Sequence, residues 1–131
     1  MATNVFENFE VYLVSDDGID SPIADYLIDL SSANKDLFEE AVANIKSLPD
    51  LHSTFTNIEH FKLGKFRCYE LRVMHKNNIC RFFYTIEKPN FVIIHGFTKK
   101  TQKTERKEIK KGENNLYIYQ NSKSKILFPY V

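Results

Sequence analysis

Three apolar segments joined by two very short turns lie between residues 66 and 97. The segments 66–74, 79–87 and 91–97 are rich in β-branched and aromatic residues, which favour strands. Asn77-Asn78 and Pro89-Asn90 are typical turn sequences between them. Because connections this short join antiparallel neighbours, the pattern predicts a three-stranded meander.

The first half of the chain predicts one further strand and two helices. Residues 5–14 alternate in part between apolar and polar side chains, as a strand does. A Ser-Pro pair at 21–22 fits the start of a first helix, and Asn34 fits the cap of a second. Pro49 is expected to end the second helix. Residues 50–65 are interpreted as a connection.

The C-terminal part is predicted to be mostly irregular. A polar, basic run covers residues 98–115, in which Thr104 fits the cap of a short helix through Ile109. Gly112 and Asn114-Asn115 favour a helix that is short or frayed. Aromatic residues beyond 116 need a packing surface that the sequence does not identify.

These elements predict a single α+β domain that spans residues 1–131. Two N-terminal helices would pack on a mainly antiparallel four-stranded sheet, followed by a basic C-terminal segment. The second face of the sheet would be left partly open, and an open sheet face is a suitable place for a ligand.

Charge is distributed very unevenly along the chain. Residues 1–60 hold twelve acidic and two basic residues, a net −10, whereas residues 61–131 hold five acidic and sixteen basic residues, a net +11. The second half is therefore a candidate for contact with a nucleic acid, although two solvated faces that neutralise each other would give the same pattern.

Other classes of protein are not indicated by the sequence. No apolar run approaches the roughly 20 residues of a membrane span, and the N-terminus lacks the pattern of a secretory signal. Two cysteines give neither a disulfide framework nor a zinc pattern, and no phosphate-binding glycine motif is present. We therefore expect a cytoplasmic protein with no metal, no cofactor and no membrane contact.

Strand alternation places a group of cations on the sheet face that the helices would leave open. Arg72, Arg81, His95 and Lys99 fall on that face if the meander register holds. RNA is cut when its 2′-hydroxyl attacks the adjacent phosphate, which needs a base, an acid and a cationic clamp. Each residue also fits a plainer role. Arg72 fits a surface pair with Glu70, Arg81 an arginine satisfied within the sheet, His95 a hydrogen-bonded core histidine, and Lys99 part of a solvated basic edge.

The motifs "YELRV" (69–73), "CRFFYTI" (80–86) and "VIIHGFTKKTQKT" (92–104) resemble the phage-derived, HigB-like branch of the RelE/ParE toxin superfamily. The resemblance implies a RelE-like fold and the toxin of a type II toxin–antitoxin system. It further implies a ribosome-dependent, metal-independent mRNA endonuclease that inhibits translation. Its partners would be mRNA, the ribosome and a cognate antitoxin, expected to be a helix-turn-helix protein.

The resemblance, together with the charge pattern, selects the candidate site residues. The predicted catalytic residues are Arg81, Lys99, Lys100, Arg72 and His95. The predicted RNA-binding residues are Lys103, Arg67, Arg106 and Lys107. Two alternatives stay open: a ParE-like inhibitor that binds DNA gyrase without nuclease activity, and a non-toxic prophage remnant that only binds a partner or nucleic acid.

Overall fold

A mixed sheet with helices on both faces organises the computed structural model, which describes residues 8–99 and 105–130. Its elements in chain order are β1 (Val11–Val14), α1 (Pro22–Ala33), α2 (Lys35–Lys46), α3 (Leu48–Thr54), β2 (Ile58–Leu63), β3 (Phe66–His75), β4 (Asn78–Glu87), β5 (Asn90–Lys99), α4 (Arg106–Ser122) and β6 (Lys125–Leu127). None of the helices in these ranges combines the length and apolar character needed to cross a membrane.

The six strands lie in the order β2-β3-β4-β5-β1-β6. All neighbours are antiparallel except β1 and β5, which run parallel. The meander expected from the short turns is therefore confirmed as β3-β4-β5. A second tight turn at Gly64, whose φ of +61° suits glycine, adds β2 at the edge.

The expected fold, a mainly antiparallel four-stranded sheet under two N-terminal helices, is wrong: the described residues form six strands, with one parallel pair, and four helices. Three of the missed elements are α3, β2 and β6. Pro49 does not end α2, which ends at Lys46; it lies in the first turn of α3, where a missing N–H costs nothing. The edge strand β2 has three apolar and three polar residues without regular alternation, so periodicity does not reveal its pairing with β3.

Helices α1 and α2 cover one face of the sheet and begin where the sequence predicts. The Ser21 hydroxyl accepts hydrogen bonds from the backbone N–H groups of Ile23 and Ala24, and the Asn34 side chain accepts one from Leu37. The residues that these helices bury recur at helical spacing: Ile23, Leu27, Leu30, Leu37, Ala41 and Ile45. These two caps and apolar stripes confirm the sequence interpretation.

Helix α4 covers part of the opposite sheet face, which the sequence predicts to be partly open. It runs unbroken through Gly112, so the prediction of a short or frayed helix is wrong. A Cβ at position 112 would lie 2.9 Å from the Phe83 ring and 3.3 Å from Leu63. Glycine therefore lets the helix approach the sheet closely, and this packing offsets a helix-propensity cost of about 1 kcal/mol. The expected cap, Thr104, lies outside the described residues.

A bulge in β5 is held by α4. Phe83 pairs with His95 but Tyr84 pairs with Ile93, so Ile94 is an extra residue in β5. The carbonyl oxygen of Ile94 accepts a hydrogen bond of 3.0 Å from the Asn115 side-chain amide of α4. Simple alternation along β5 predicts Ile93 on the same face as His95. That prediction is wrong, because the bulge moves Ile93 to the face of Tyr84.

We expect Gly112→Ala to destabilise the protein by about 1–2 kcal/mol, although alanine is the better helix former, because its methyl group would push into the rigid Phe83 ring. Asn114→Ala, at an exposed position of the same helix, should instead leave stability unchanged or raise it slightly. Urea unfolding midpoints of both variants check this. A more stable Gly112→Ala protein would show that α4 does not pack this tightly.

Candidate active site

The sheet register brings the expected cations to one face. Arg72 pairs with Arg81 across β3 and β4, and Lys99 of β5 pairs with Ile79, two residues before Arg81. His95 pairs with Phe83 on the same face. Directly paired residues point to the same side of a sheet, so the four side chains share the face that α4 partly covers. Their expected grouping is confirmed, but in a more buried setting than an open face.

Arg81 lies in a buried ion pair. Its Nη1 is 2.9 Å from Oε1 of Glu70, and the two side chains are only 6% and 3% exposed. Arg81 therefore does not present its guanidinium group at the surface, as a phosphate clamp would. The charge of Arg81 is neutralised by Glu70 inside the protein. Removal of one partner would leave the other as a buried charge without that neutralisation.

Lys99, at the end of β5, is a buried cation. The residue is 3% exposed, and its Nζ has no hydrogen-bond partner among the described residues. Burial lowers the pKa of the Lys99 ammonium group, and the nearby Arg81 charge lowers it further, while Glu70 and Glu105 act weakly in the opposite direction. Such an ammonium group would gain a partner from any anion that reached it.

His95 is held by a residue that the sequence interpretation missed. Its Nε2 is 3.2 Å from Oε2 of Glu108, near the start of α4, and Lys111 Nζ is 3.6 Å from the other Glu108 oxygen. Burial lowers the pKa of His95, and the hydrogen bond to Glu108 opposes that shift in part. His95 is therefore a buried, hydrogen-bonded histidine, and the interaction fixes α4 against β5.

A sequence signal for Glu108 exists, but it needs α4 to be recognised as one helix. The residues that α4 buries are Glu108, Gly112, Leu116 and Tyr119, which follow the spacing of one helical face. A break at Gly112 hides this stripe. Once the helix is continuous, the stripe directs the Glu108 carboxyl toward the sheet.

The other candidates that the structure describes lie outside the buried group of Glu70, Arg81 and Lys99. Arg72 is half-buried and forms an ion pair of 2.7 Å with Glu59, not with Glu70. Arg106 and Lys107 are exposed at the start of α4. Arg67 points to the opposite face, since it pairs with Lys62 and lies one residue from the buried Cys68. Lys100 and Lys103 lie outside the described residues.

The comparison with protein families identifies the chain. A family model described as Phage derived protein Gp49-like (DUF891) matches residues 28–117, which is more than half of the 131 residues. The chain therefore belongs to this phage-derived family, which is a RelE/toxin-like family. No curated protein and no solved structure matches the chain. The phage-derived, toxin-like part of the resemblance is confirmed, whereas the HigB-like branch stays a prediction.

We expect Arg81→Ala to lower the free energy of unfolding by about 3–5 kcal/mol, because it leaves Glu70 charged and buried. The double variant Glu70→Leu/Arg81→Met should recover most of that loss, since both charges of the pair are then removed together. Chemical denaturation of the two variants and the wild type measures both values. Equal losses in the single and double variants would contradict a coupled pair.

The stability of the protein should fall as the pH drops below about 6.5, the ordinary pKa of histidine. Because the pKa of His95 is lowered by folding, the unfolded chain binds a proton at a pH where folded His95 stays neutral, and acid then favours unfolding. His52 contributes in the same direction. His95→Gln should therefore show a shallower decrease than the wild type in unfolding experiments between about pH 7.5 and 5.5. Parallel curves would rule out a buried neutral His95.

Proposed function

We propose that this Gp49-like protein is the toxin of a type II toxin–antitoxin system and that it cleaves mRNA on the ribosome. Membership of the phage-derived family supports the toxin part of the proposal. The observation that carries the nuclease part is the buried Lys99 ammonium group without a hydrogen-bond partner among the described residues. Burial of this charge lowers the free energy of unfolding, and a protein that acted only by binding a partner would not need a buried charge.

Lys99 would hold the phosphate that is cut. In this reaction the 2′-oxygen forms a bond to phosphorus while the bond from phosphorus to the 5′-oxygen breaks, which gives a 2′,3′-cyclic phosphate and a 5′-hydroxyl group. A base takes the proton of the 2′-hydroxyl, and an acid supplies one to the 5′-oxygen. The ammonium group of Lys99 would neutralise the charge that develops on the other phosphate oxygens. No step requires a metal.

Arg81 would act on Lys99 and not on the RNA. Its charge lowers the pKa of Lys99, while its own guanidinium group is bound to Glu70. Arg81 is thus proposed as a positioning residue, and toxicity of Arg81 variants has to be read together with their stability. Because Lys99 is almost fully buried, a phosphate would reach it only if neighbouring side chains moved, so RNA binding should change the structure around Lys99.

The proposed setting follows from the substrate. A ribosome-dependent enzyme acts in the cytoplasm, and a cell that makes it needs an antitoxin, for which a small helix-turn-helix protein is the proposed partner. The antitoxin is expected to cover part of residues 61–131, which hold most of the toxin's lysines and arginines. Its co-expression should restore growth.

Lys99→Met should abolish toxicity and at the same time stabilise the fold by about 1–3 kcal/mol, because methionine removes a buried charge and keeps most of the volume. The matched control is Lys35→Met on α2, whose side chain is 80% exposed and should affect neither property. Each variant is expressed from a tight promoter, and the 5′ ends of a reporter mRNA are mapped with and without its start codon.

New cuts that need translation and disappear in Lys99→Met would support the proposal. Cuts that persist in Lys99→Met would remove Lys99 from the mechanism. Growth arrest without any cut would favour a gyrase inhibitor of the ParE type, and growth without arrest would leave only a binding role.

A further inference from the structure

A second group of cations and aromatic rings lies far from Lys99. A groove of about 650 Å³ is formed on the α1–α2 face of the sheet, where α3 meets the start of β3 and the end of β4. His52, Phe55, Arg67, Tyr69 and Lys88 line it. A smaller groove of about 460 Å³, which includes His60 and Lys62, adjoins it through the shared Arg67.

The rings in this groove form a continuous surface. His52 and Tyr69 pack edge to face at 4.6 Å between ring centroids, and Phe55 and His60 lie 5.3 Å apart with their planes inclined by 33°. His60 in turn lies 5.3 Å from Tyr69. Clusters of aromatic rings that leave some ring faces exposed can stack the bases of single-stranded nucleic acids, with little dependence on sequence.

Phe55 is held outward by its backbone. It occupies the C-cap of α3 in the left-handed conformation, with φ +53°, and it is 49% exposed. A bulky residue is strained in that conformation, and strain of this kind concentrates at functional sites. The next ring along the groove, His60, is also exposed. The chain thus keeps two ring faces open to solvent at one place.

The charges around these rings have one sign. Arg67, Lys62 and Lys88 are exposed, and no carboxylate is present among the described residues that line the two grooves. None of the lining side chains therefore repels an anion, although the first half of the chain, which supplies His52, Phe55 and His60, is acidic overall. Exposed rings between cations fit a chain of bases and phosphates better than they fit an apolar peptide.

We propose that these two grooves bind a single-stranded RNA segment outside the cleavage site, with bases on Phe55 and His60 and phosphates at Arg67 and Lys88. Lys99 is on the other face and near the opposite end of the strands, about 20 Å away along the sheet. The bound segment would therefore lie several nucleotides from the phosphate at Lys99. The inference takes RNA as the ligand from the proposed function, but it does not depend on cleavage.

The test measures binding of a fluorescein-labelled, single-stranded RNA 12-mer by anisotropy, with Lys99→Met as the parent protein so that the RNA stays intact. Phe55→Leu should weaken binding about tenfold, because leucine keeps the apolar volume but loses the ring face, whereas Phe55→Trp should bind at least as well as the parent. Phe66→Leu is the matched control. Phe66 is 51% exposed and lies on the opposite face of β3 from Arg67, so this substitution should not change binding.

Arg67→Ala should weaken binding and make its salt dependence shallower by about one ion, since a phosphate contact is lost. Lys76→Ala, an exposed lysine in the turn between β3 and β4, serves as the control for Arg67→Ala. Equal affinities for Phe55→Leu and Phe66→Leu, or an unchanged salt dependence in Arg67→Ala, would overturn the proposal. Cleavage can fail in the reporter assay while this binding is retained, so the two proposals fail separately.

Discussion

Two cations and one carboxylate, Arg81, Lys99 and Glu70, are buried close together on the sheet face that α4 partly covers. Glu70 neutralises Arg81, while Lys99 keeps its charge without a hydrogen-bond partner among the described residues. A buried group of this composition has an excess positive charge, which costs folding free energy unless an anion completes it. The surrounding core, which includes fully buried Phe82, Phe83 and Tyr84, must supply enough stability to retain it.

Helix α4 is fixed on the same face of the sheet as this group. It is held by three different contacts: the close approach of Gly112 to Phe83, the hydrogen bond of Asn115 to the bulge at Ile94, and the interaction of Glu108 with His95. Each contact fixes a different point of the helix on the sheet, so α4 cannot shift without breaking one of them.

Sequence reasoning succeeded where local signals were strong and failed where long-range contacts decided. The caps at Ser21 and Asn34 and the meander follow from local chemistry. The continuous α4 could not be predicted, because the propensity of Gly112 opposes a helix and only the Phe83 ring explains its presence. The edge strands β2 and β6 likewise depend on pairing partners that no short segment reveals.

For the site, alternation along strands was sufficient to place Arg72, Arg81, His95 and Lys99 on one face, but not to give their partners. The Glu70–Arg81 pair joins neighbouring strands, and Glu108 comes from α4. Both therefore require the tertiary structure. The basic second half of the chain predicts one RNA-binding surface that includes Arg67. In the structure Arg67 and Lys99 lie on opposite faces of the sheet.

The protonation of Lys99 is the property on which the account depends most directly. NMR titration of its side-chain resonances, assigned with the Lys99→Met variant, would give its pKa in the free protein and with a 2′-O-methyl RNA that cannot be cleaved. The pKa of Lys99 should lie below the ordinary 10.5 in the free protein and rise when the RNA binds, because a phosphate then stabilises the charged form. A Lys99 pKa that is normal in the free protein, or that does not respond to the RNA, would show that Lys99 does not hold the phosphate.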